Sequence, residues 1–232
     1  MHHVQCSKGR CEEGRGSRIA QNRLQVIPHR AHARIIMALM NDQAPQPLPA
    51  LGRIFQLGVI VPDIEAAMRY WMDALGVGPF TYMDSTGPIR CTYRGKQTDV
   101  RICMGFSYSD NLQIELIQQR NDAPSPYRDF LASGREGVQH VAHYAHDFDA
   151  AGRQLEAGGA KHVYTIEPEL GGERIHYYER PGQSTMIELV PLNELRRRYH
   201  EVLQNETRNW DGGNPIRRYR DFLHFYQSFG LL

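Results

Sequence analysis

Hydrophobic and polar positions divide the chain into a patternless start and a strongly patterned remainder. Residues 1–50 mix Gly, Arg, His, Gln and Pro without a sustained period and run out through "NDQAPQPLPALGR", the composition of a flexible leader or linker with little order of its own. Met37 and Met40 within it admit a translation start downstream of Met1, which N-terminal sequencing of the native protein decides. From Ile54 the apolar run "IFQLGVIV" predicts a buried strand, and Pro62-Asp63 marks a turn. Ile64, Ala67, Met68, Trp71 and Leu75 then recur at helical spacing before Gly76. "IRCTYRG", "DVRICMGFS" and "LQIELIQQ" predict three more strands, so this stretch reads βαβββ.

The pattern then repeats. Sliding "VQHVAHYAHDFDAAGRQLEAGGA" back by 84 positions puts His140 on Gln56, Asp147 on Asp63, Ala150-Ala151 on Ala66-Ala67 and Arg153 on Arg69. "KHVYTIEPEL", "ERIHYYERPG" and "TMIELVPL" supply the strands of a second βαβββ unit, and "MIELVP" echoes "QIELIQ" at an offset of 73. Residues 51–191 therefore predict one α+β domain of two tandem βαβββ modules, at 53–120 and 137–191. Each module leaves a sheet face in need of a partner, so the two sheets are expected to face one cleft. Residues 192–232 predict a C-terminal helical extension, two helices broken at "DGGNP". It either caps the cleft, packs on a second subunit or covers exposed core.

Strand alternation sorts the polar residues inside these runs. Gln56 shares a face with Gly58 and Ile60, opposite Leu57, Val59 and Val61; His140 shares one with Ala142 and Tyr144. Glu115 opposes Ile114 and Leu116, and Glu188 opposes Ile187 and Leu189. The purely apolar sets should meet the helices, which leaves Gln56, Glu115, His140 and Glu188 on the cleft side. A single glutamate on an amphipathic strand usually faces solvent, and a lone Gln or His is usually a satisfied polar residue. Equivalent placement in two copies is what favours a shared cation, because buried carboxylates demand one, a proton or an arginine. An oxygen and nitrogen donor set suits Zn²⁺, Ni²⁺, Co²⁺ or Mn²⁺. His143 has the opposite parity to His140 and His146 lies too far along, so neither is a co-ligand; His176 and Tyr178 are candidates to line the pocket.

Composition narrows the classes. With 27 basic and 26 acidic residues the formal charge is +1, which gives no reason to expect nucleic acid or a membrane surface as partner. Cys6, Cys11, Cys91 and Cys103 lack paired spacing, so neither a disulfide framework nor a cysteine-rich zinc site is expected. A reducing, cytoplasmic setting follows as an expectation, since no long apolar span or secretory signal core is present.

Through "QLGVIVPDIEAAMRYWMDALGVGPF", "LQIELIQ", "GVQHVAHYAHDFDAAGRQLEAGGA" and "MIELVP", the stretch from Ile54 to Pro191 resembles the vicinal oxygen chelate superfamily. That group includes glyoxalase I, methylmalonyl-CoA epimerase, extradiol dioxygenases and bleomycin-resistance proteins. The resemblance implies paired βαβββ modules that each donate two ligands, and puts Gln56, Glu115, His140 and Glu188 in the four metal-ligand positions. "ALGVGPF" and "SPYRDFLASGREGVQHVAH" look most like the epimerase branch, whereas the order Gln, Glu, His, Glu looks like eukaryotic-type glyoxalase I. The implied enzyme is a metal-dependent lyase or isomerase acting on a small-molecule substrate as a homodimer. Its base would move a proton beside a metal-polarised carbonyl, with Glu188 the first choice and Glu115 its partner.

An extradiol dioxygenase with Fe²⁺ is the alternative, and one histidine with two carboxylates fits it poorly. A non-catalytic binding or resistance protein is the other, and it would usually lack the ligand set. CoA thioesters would call for cations at the cleft mouth, for which Arg90, Arg94, Lys96 and Arg101 are candidates against a plain solvated strand face.

Overall fold

The structure is a computed structural model that describes residues 50–168 and 173–232. The expectations for the leader, the start codon, Cys6 and Cys11 fall outside these residues.

The first strand, β1 (Leu51–Ile60), leads into α1 (Ile64–Leu75). Asp63, the residue that the repeat aligns with Asp147, is the N-cap of α1: its side chain accepts from Ala66 N at 3.1 Å. Gly76 closes the helix at φ 67°, a left-handed conformation that a residue with a Cβ adopts only with strain. Ile64 and Met68 are buried from the apolar stripe, each worth about 1.5–3 kcal/mol of burial, while Leu75 at the end is exposed.

Next come β2 (Phe80–Met83), β3 (Ile89–Tyr93), β4 (Lys96–Thr98), β5 (Ile102–Ser109), β6 (Leu112–Gln119) and the short α2 (Pro126–Ala132). The second half contains β7 (Gly137–Ala145), α3 (Phe148–Ala157), β8 (Lys161–Pro168), β9 (Ile175–Glu179) and β10 (Met186–Pro191). Asp147 caps α3 as Asp63 caps α1, accepting from Ala150 N at 2.9 Å. The extension is α4 (Glu194–Arg208), β11 (Ile216–Tyr219) and α5 (Phe222–Ser228).

Three sequence expectations change. The strands do not form two facing sheets but one, in the order β11-β2-β5-β6-β1-β7-β10-β9-β8-β3-β4, because β1 and β7 hydrogen-bond edge to edge. "IRCTYRG" does not serve the first half: β3 pairs with β8, and the unpredicted "FTYM" of β2 takes its place beside β5. "PIRRYR" is not helical. β11 runs parallel to β2, supplying partners to an edge that would otherwise be open, so a long-range pairing overrides local preference.

Alternation holds where it matters. Val59, Ile114 and Leu116 pack with Ile64 and Met68 of α1, and Leu189 packs with Ala151 and Leu155 of α3. The other face carries Ile60, Met104, Phe106, Ile117 and Tyr177, and on it sit Tyr199 and Leu203 of α4 and Phe225 of α5. The extension thus covers the cleft face of the sheet. No helix among the described residues is long and apolar enough to cross a membrane.

Candidate metal centre and adjoining cavity

The strand registers explain how residues from two halves meet. β1 runs parallel to β6 with Gln56 opposite Gln113 and Gly58 opposite Glu115; β7 runs parallel to β10 with His140 opposite Met186 and Ala142 opposite Glu188. Between the halves, antiparallel pairing sets Gly58 against His140 and Gln56 against Ala142. Exchange of the two halves maps each of these pairs onto the other, so Glu115 and Glu188 come to flank the central β1–β7 pair symmetrically.

One ligand atom each from Glu115, His140 and Glu188 lies within 4.8 Å of the other two. His140 Nε2 is 3.4 Å from Glu115 Oε2 and 3.4 Å from Glu188 Oε2, and all three residues are buried. Yet none of these three atoms has a hydrogen-bond partner among the described residues. Three orphaned buried atoms aimed at one another fit a divalent cation, which would satisfy all of them and offset both carboxylates.

The imidazole is set for that role. His140 Nδ1 lies 2.8 Å from Gln139 Oε1, an oxygen that can only accept, so Nδ1 carries the proton and Nε2 presents its lone pair to the carboxylates. Gln139 is itself oriented, donating from Nε2 to Met186 Sδ at 3.0 Å and to the Pro126 carbonyl at 3.5 Å. Without a cation, burial pulls the His140 pKa down, but the two carboxylates outweigh it and push it up to about 9. Burial raises the carboxyl of Glu115 above the usual range, with the His140 contact opposing. Tyr177, which sequence reasoning missed, backs the ring edge-on at 5.0 Å between centroids.

Gln56 belongs to a chain of hydrogen bonds. Its Nε2 donates to Gln113 Oε1 at 2.8 Å, Gln113 Nε2 donates to Tyr108 Oη at 3.1 Å, and Tyr108 Oη lies 2.5 Å from His200 Nδ1 on α4. Burial, followed by the charges of Arg196 and Arg53, pushes the His200 pKa down to about 3, so the ring is neutral and Nδ1 accepts a hydrogen bond from the Tyr108 hydroxyl. The polarity of the chain commits Gln56 through its nitrogen. Among the described residues, nothing donates to its Oε1.

Gln56, Gln113 and Glu188 line a cavity of about 140 Å³, with Phe55, Phe106 and Val190 from the sheet and Arg196, Tyr199, His200, Phe222 and Tyr226 from the extension. Phe55 is there because a register irregularity between Ile54 and Gln56 breaks strict alternation and lets it stack on Tyr144 at 3.7 Å.

Other candidates fall elsewhere. His143 Nδ1 lies 2.8 Å from the Gly52 carbonyl, and His146 sits beside Gly52. His176 and Tyr178 do not line the cavity: His176 stacks on His162 and meets Phe148 edge-on, and Tyr178 packs with α3 residues. Tyr177, opposite Glu188 in the β9–β10 register, takes the cleft side instead. Arg90, Arg94 and Arg101 pair with Glu167, Glu179 and Asp99, and neither they nor Lys96 line the cavity. Arg196 and His200 were missed. Their spacing from the N-cap Asn193 puts all three near one helix face, but only the docking of α4 shows which face meets the sheet.

A profile of the Glyoxalase/Bleomycin resistance protein/Dioxygenase superfamily matches residues 55–178, a segment that contains Gln56, Glu115 and His140 and ends before Glu188. The chain is 26% identical to an ethylmalonyl-CoA/methylmalonyl-CoA epimerase of Cereibacter sphaeroides over 122 residues, 52% of this chain and 81% of that protein. A solved methylmalonyl-CoA epimerase of Mycobacterium tuberculosis matches with a TM-score of 0.44 at 22% identity, over 68% of this chain and 99% of that one. A hypothetical protein of Bacillus halodurans matches with a TM-score of 0.47 at 16% identity, over 61% and 95%.

Proposed function

Since the chain belongs to the Glyoxalase/Bleomycin resistance protein/Dioxygenase superfamily, we propose that it is a divalent-metal-dependent isomerase or lyase, of methylmalonyl-CoA epimerase or glyoxalase I type. It moves a proton on a carbon next to a carbonyl group. The observation that carries this reading is the trio of orphaned buried atoms, Glu115 Oε2, His140 Nε2 and Glu188 Oε2, of which Glu188 also lines the adjoining cavity. Similarity to a protein named as an epimerase supports the isomerase side.

Gln56 through Oε1, Glu115, His140 through Nε2 and Glu188 would hold the ion, and the donor set suits Zn²⁺, Ni²⁺, Co²⁺ or Mn²⁺. When bound, such an ion polarises a carbonyl and makes the adjacent carbon more acidic. Glu188 is the ligand-position carboxylate that also lines the cavity, so it takes the proton. Glu115 contacts the same imidazole and is the partner carboxylate for returning the proton. Gln139 keeps the imidazole in one tautomer throughout.

The test is metal content of protein purified without chelator, followed by solvent-deuterium exchange at the α-carbon of acyl-CoA and hemithioacetal substrates. Glu188→Gln should keep the fold and lose about 10²–10⁴ of turnover, the usual contribution of a positioned acid or base. Near-normal turnover in that variant sinks the assignment of the base, and failure to bind any divalent ion sinks the reading itself.

A further inference from the structure

The cavity beside the cluster is lined by a cation that has no partner among the described residues. Arg196 lines it from α4, in the extension beyond the superfamily match. Burial draws its guanidinium pKa down, yet among the described residues no carboxylate lies within 4.0 Å of it and no acceptor takes a hydrogen bond from it. Other arginines of the domain are served: Arg94 by Glu179, Arg217 by Glu206, Arg218 by Glu65 and Arg120 by Tyr82 and Cys103. Arg196 is half-buried, and its guanidinium keeps its donors free for an acceptor that enters the cavity.

The neighbours do not complete it. Asn193 accepts from the Arg196 backbone N and donates to Glu173, and takes no hydrogen bond from the guanidinium. Glu188 and Glu173 influence Arg196 only from a distance. Once a divalent cation offsets Glu115 and Glu188, the charge of Arg196 is left over. The walls around it are otherwise mostly aromatic and aliphatic: Phe55, Phe106, Val190, Leu195, Phe222 and Tyr226.

We propose that this cavity binds a small organic acid, whose carboxylate pairs with Arg196 while its carbonyl or hydroxyl oxygen faces the Glu188 end. The first half stands on Arg196 alone; the second rests on the metal-site reading above. A guanidinium fork matches a carboxylate with two parallel hydrogen bonds. Size points the same way. At about 140 Å³ the cavity is below the roughly 300–1,000 Å³ of pockets for drug-sized ligands, because α4 and α5 occupy the cleft face of the sheet.

Calorimetric titration of the full chain with acetate, pyruvate and malonate tests this, with the neutral pyruvamide as control. It is run on Co²⁺-loaded and on chelator-treated protein. At least one acid should bind saturably to the wild type, and Arg196→Met should weaken it about 10- to 100-fold, the range for a lost hydrogen bond to a charged group. Arg196→Lys should fall between, and pyruvamide should be indifferent to both variants. Acid binding unchanged in Arg196→Met, or no acid bound by a wild type that binds Co²⁺ normally, overturns the proposal. Arg196→Lys serves if the Met variant fails to fold: wild-type acid affinity and wild-type selectivity over pyruvamide in it also count against the paired fork. If Co²⁺ does not bind but the chelator-treated protein still shows Arg196-dependent acid binding, the metal reading falls and the anion site stands.

Discussion

Gly58 faces His140 across β1 and β7, and a Cβ placed on it would lie 1.8 Å from the ring's Cε1 and 2.0 Å from Nε2. Ordinary contact begins near 3.4 Å, so Gly58→Ala requires the imidazole to retreat by roughly 1.5 Å. The ring has nowhere to go. His140 is 0% exposed, Tyr177 stands behind it, and its Nδ1 is held by Gln139. Any retreat breaks that hydrogen bond or carries Nε2 away from the two carboxylates now 3.4 Å from it. Overpacking of this kind costs about 1–3 kcal/mol, roughly 2–12 °C in Tm for a domain of this size. Loss of ligand alignment should weaken Co²⁺ binding by about 10- to 100-fold, as the loss of an orienting partner does elsewhere. Thermal melts and Co²⁺ titration of chelator-treated protein measure both. The control is Ala142→Gly, since Ala142 holds the equivalent place opposite Gln56, where a Cβ is already accommodated. A Gly58→Ala protein with wild-type Tm and wild-type Co²⁺ affinity would refute the placement of the imidazole over Gly58 and the cluster built on it.

Two further outcomes follow from the same geometry. His200→Phe removes the acceptor for the buried Tyr108 hydroxyl and should destabilise the protein by about 1–3 kcal/mol while weakening Co²⁺ binding through Gln113 and Gln56; His200→Gln, which keeps an acceptor, should recover part of both, and equal losses in the two variants would discount the hydrogen-bond chain. In metal-free protein the His140 pKa is raised from 6.5 to about 9, so its contribution is complete below about 6.5 and disappears as pH rises through about 9. Urea melts should therefore lose roughly 3 kcal/mol across that window relative to His140→Gln, whereas Co²⁺ affinity should rise with pH as the competing proton leaves; a flat difference between the two proteins contradicts the buried His140–carboxylate contact.

Periodicity carried far because the duplicated strands each bury one helix-facing set of apolar residues. Val59, Leu116 and Leu189 had to face helices, and that parity put Glu115, His140 and Glu188 on the opposite face, where they converge. The aligned Asp63 and Asp147 were legible as a repeat, and both prove to be N-caps. Parity failed where the backbone departs from ideal pleating, and fell short where alternation within a strand leaves open which of its two faces meets the cleft. Phe55 reached the cleft through an irregular register, and His176 exchanged roles with Tyr177 because the β9–β10 pairing, invisible in one strand's own pattern, sets the face.

Local pattern by itself determined the α+β class, the duplication and the cluster residues, since each follows from which side chains one strand or helix must bury. Tertiary structure decided everything that depends on distant partners. It moved β3 across to β8 and turned "IRRY" into an edge strand beside β2. It also laid α4 over the sheet so that His200 reaches the hydrogen-bond chain of Gln56 and Arg196 enters the cavity. Those are pairings between segments far apart in the chain, whose free energy comes from surfaces that exist only after both have folded, so no window of sequence contains them.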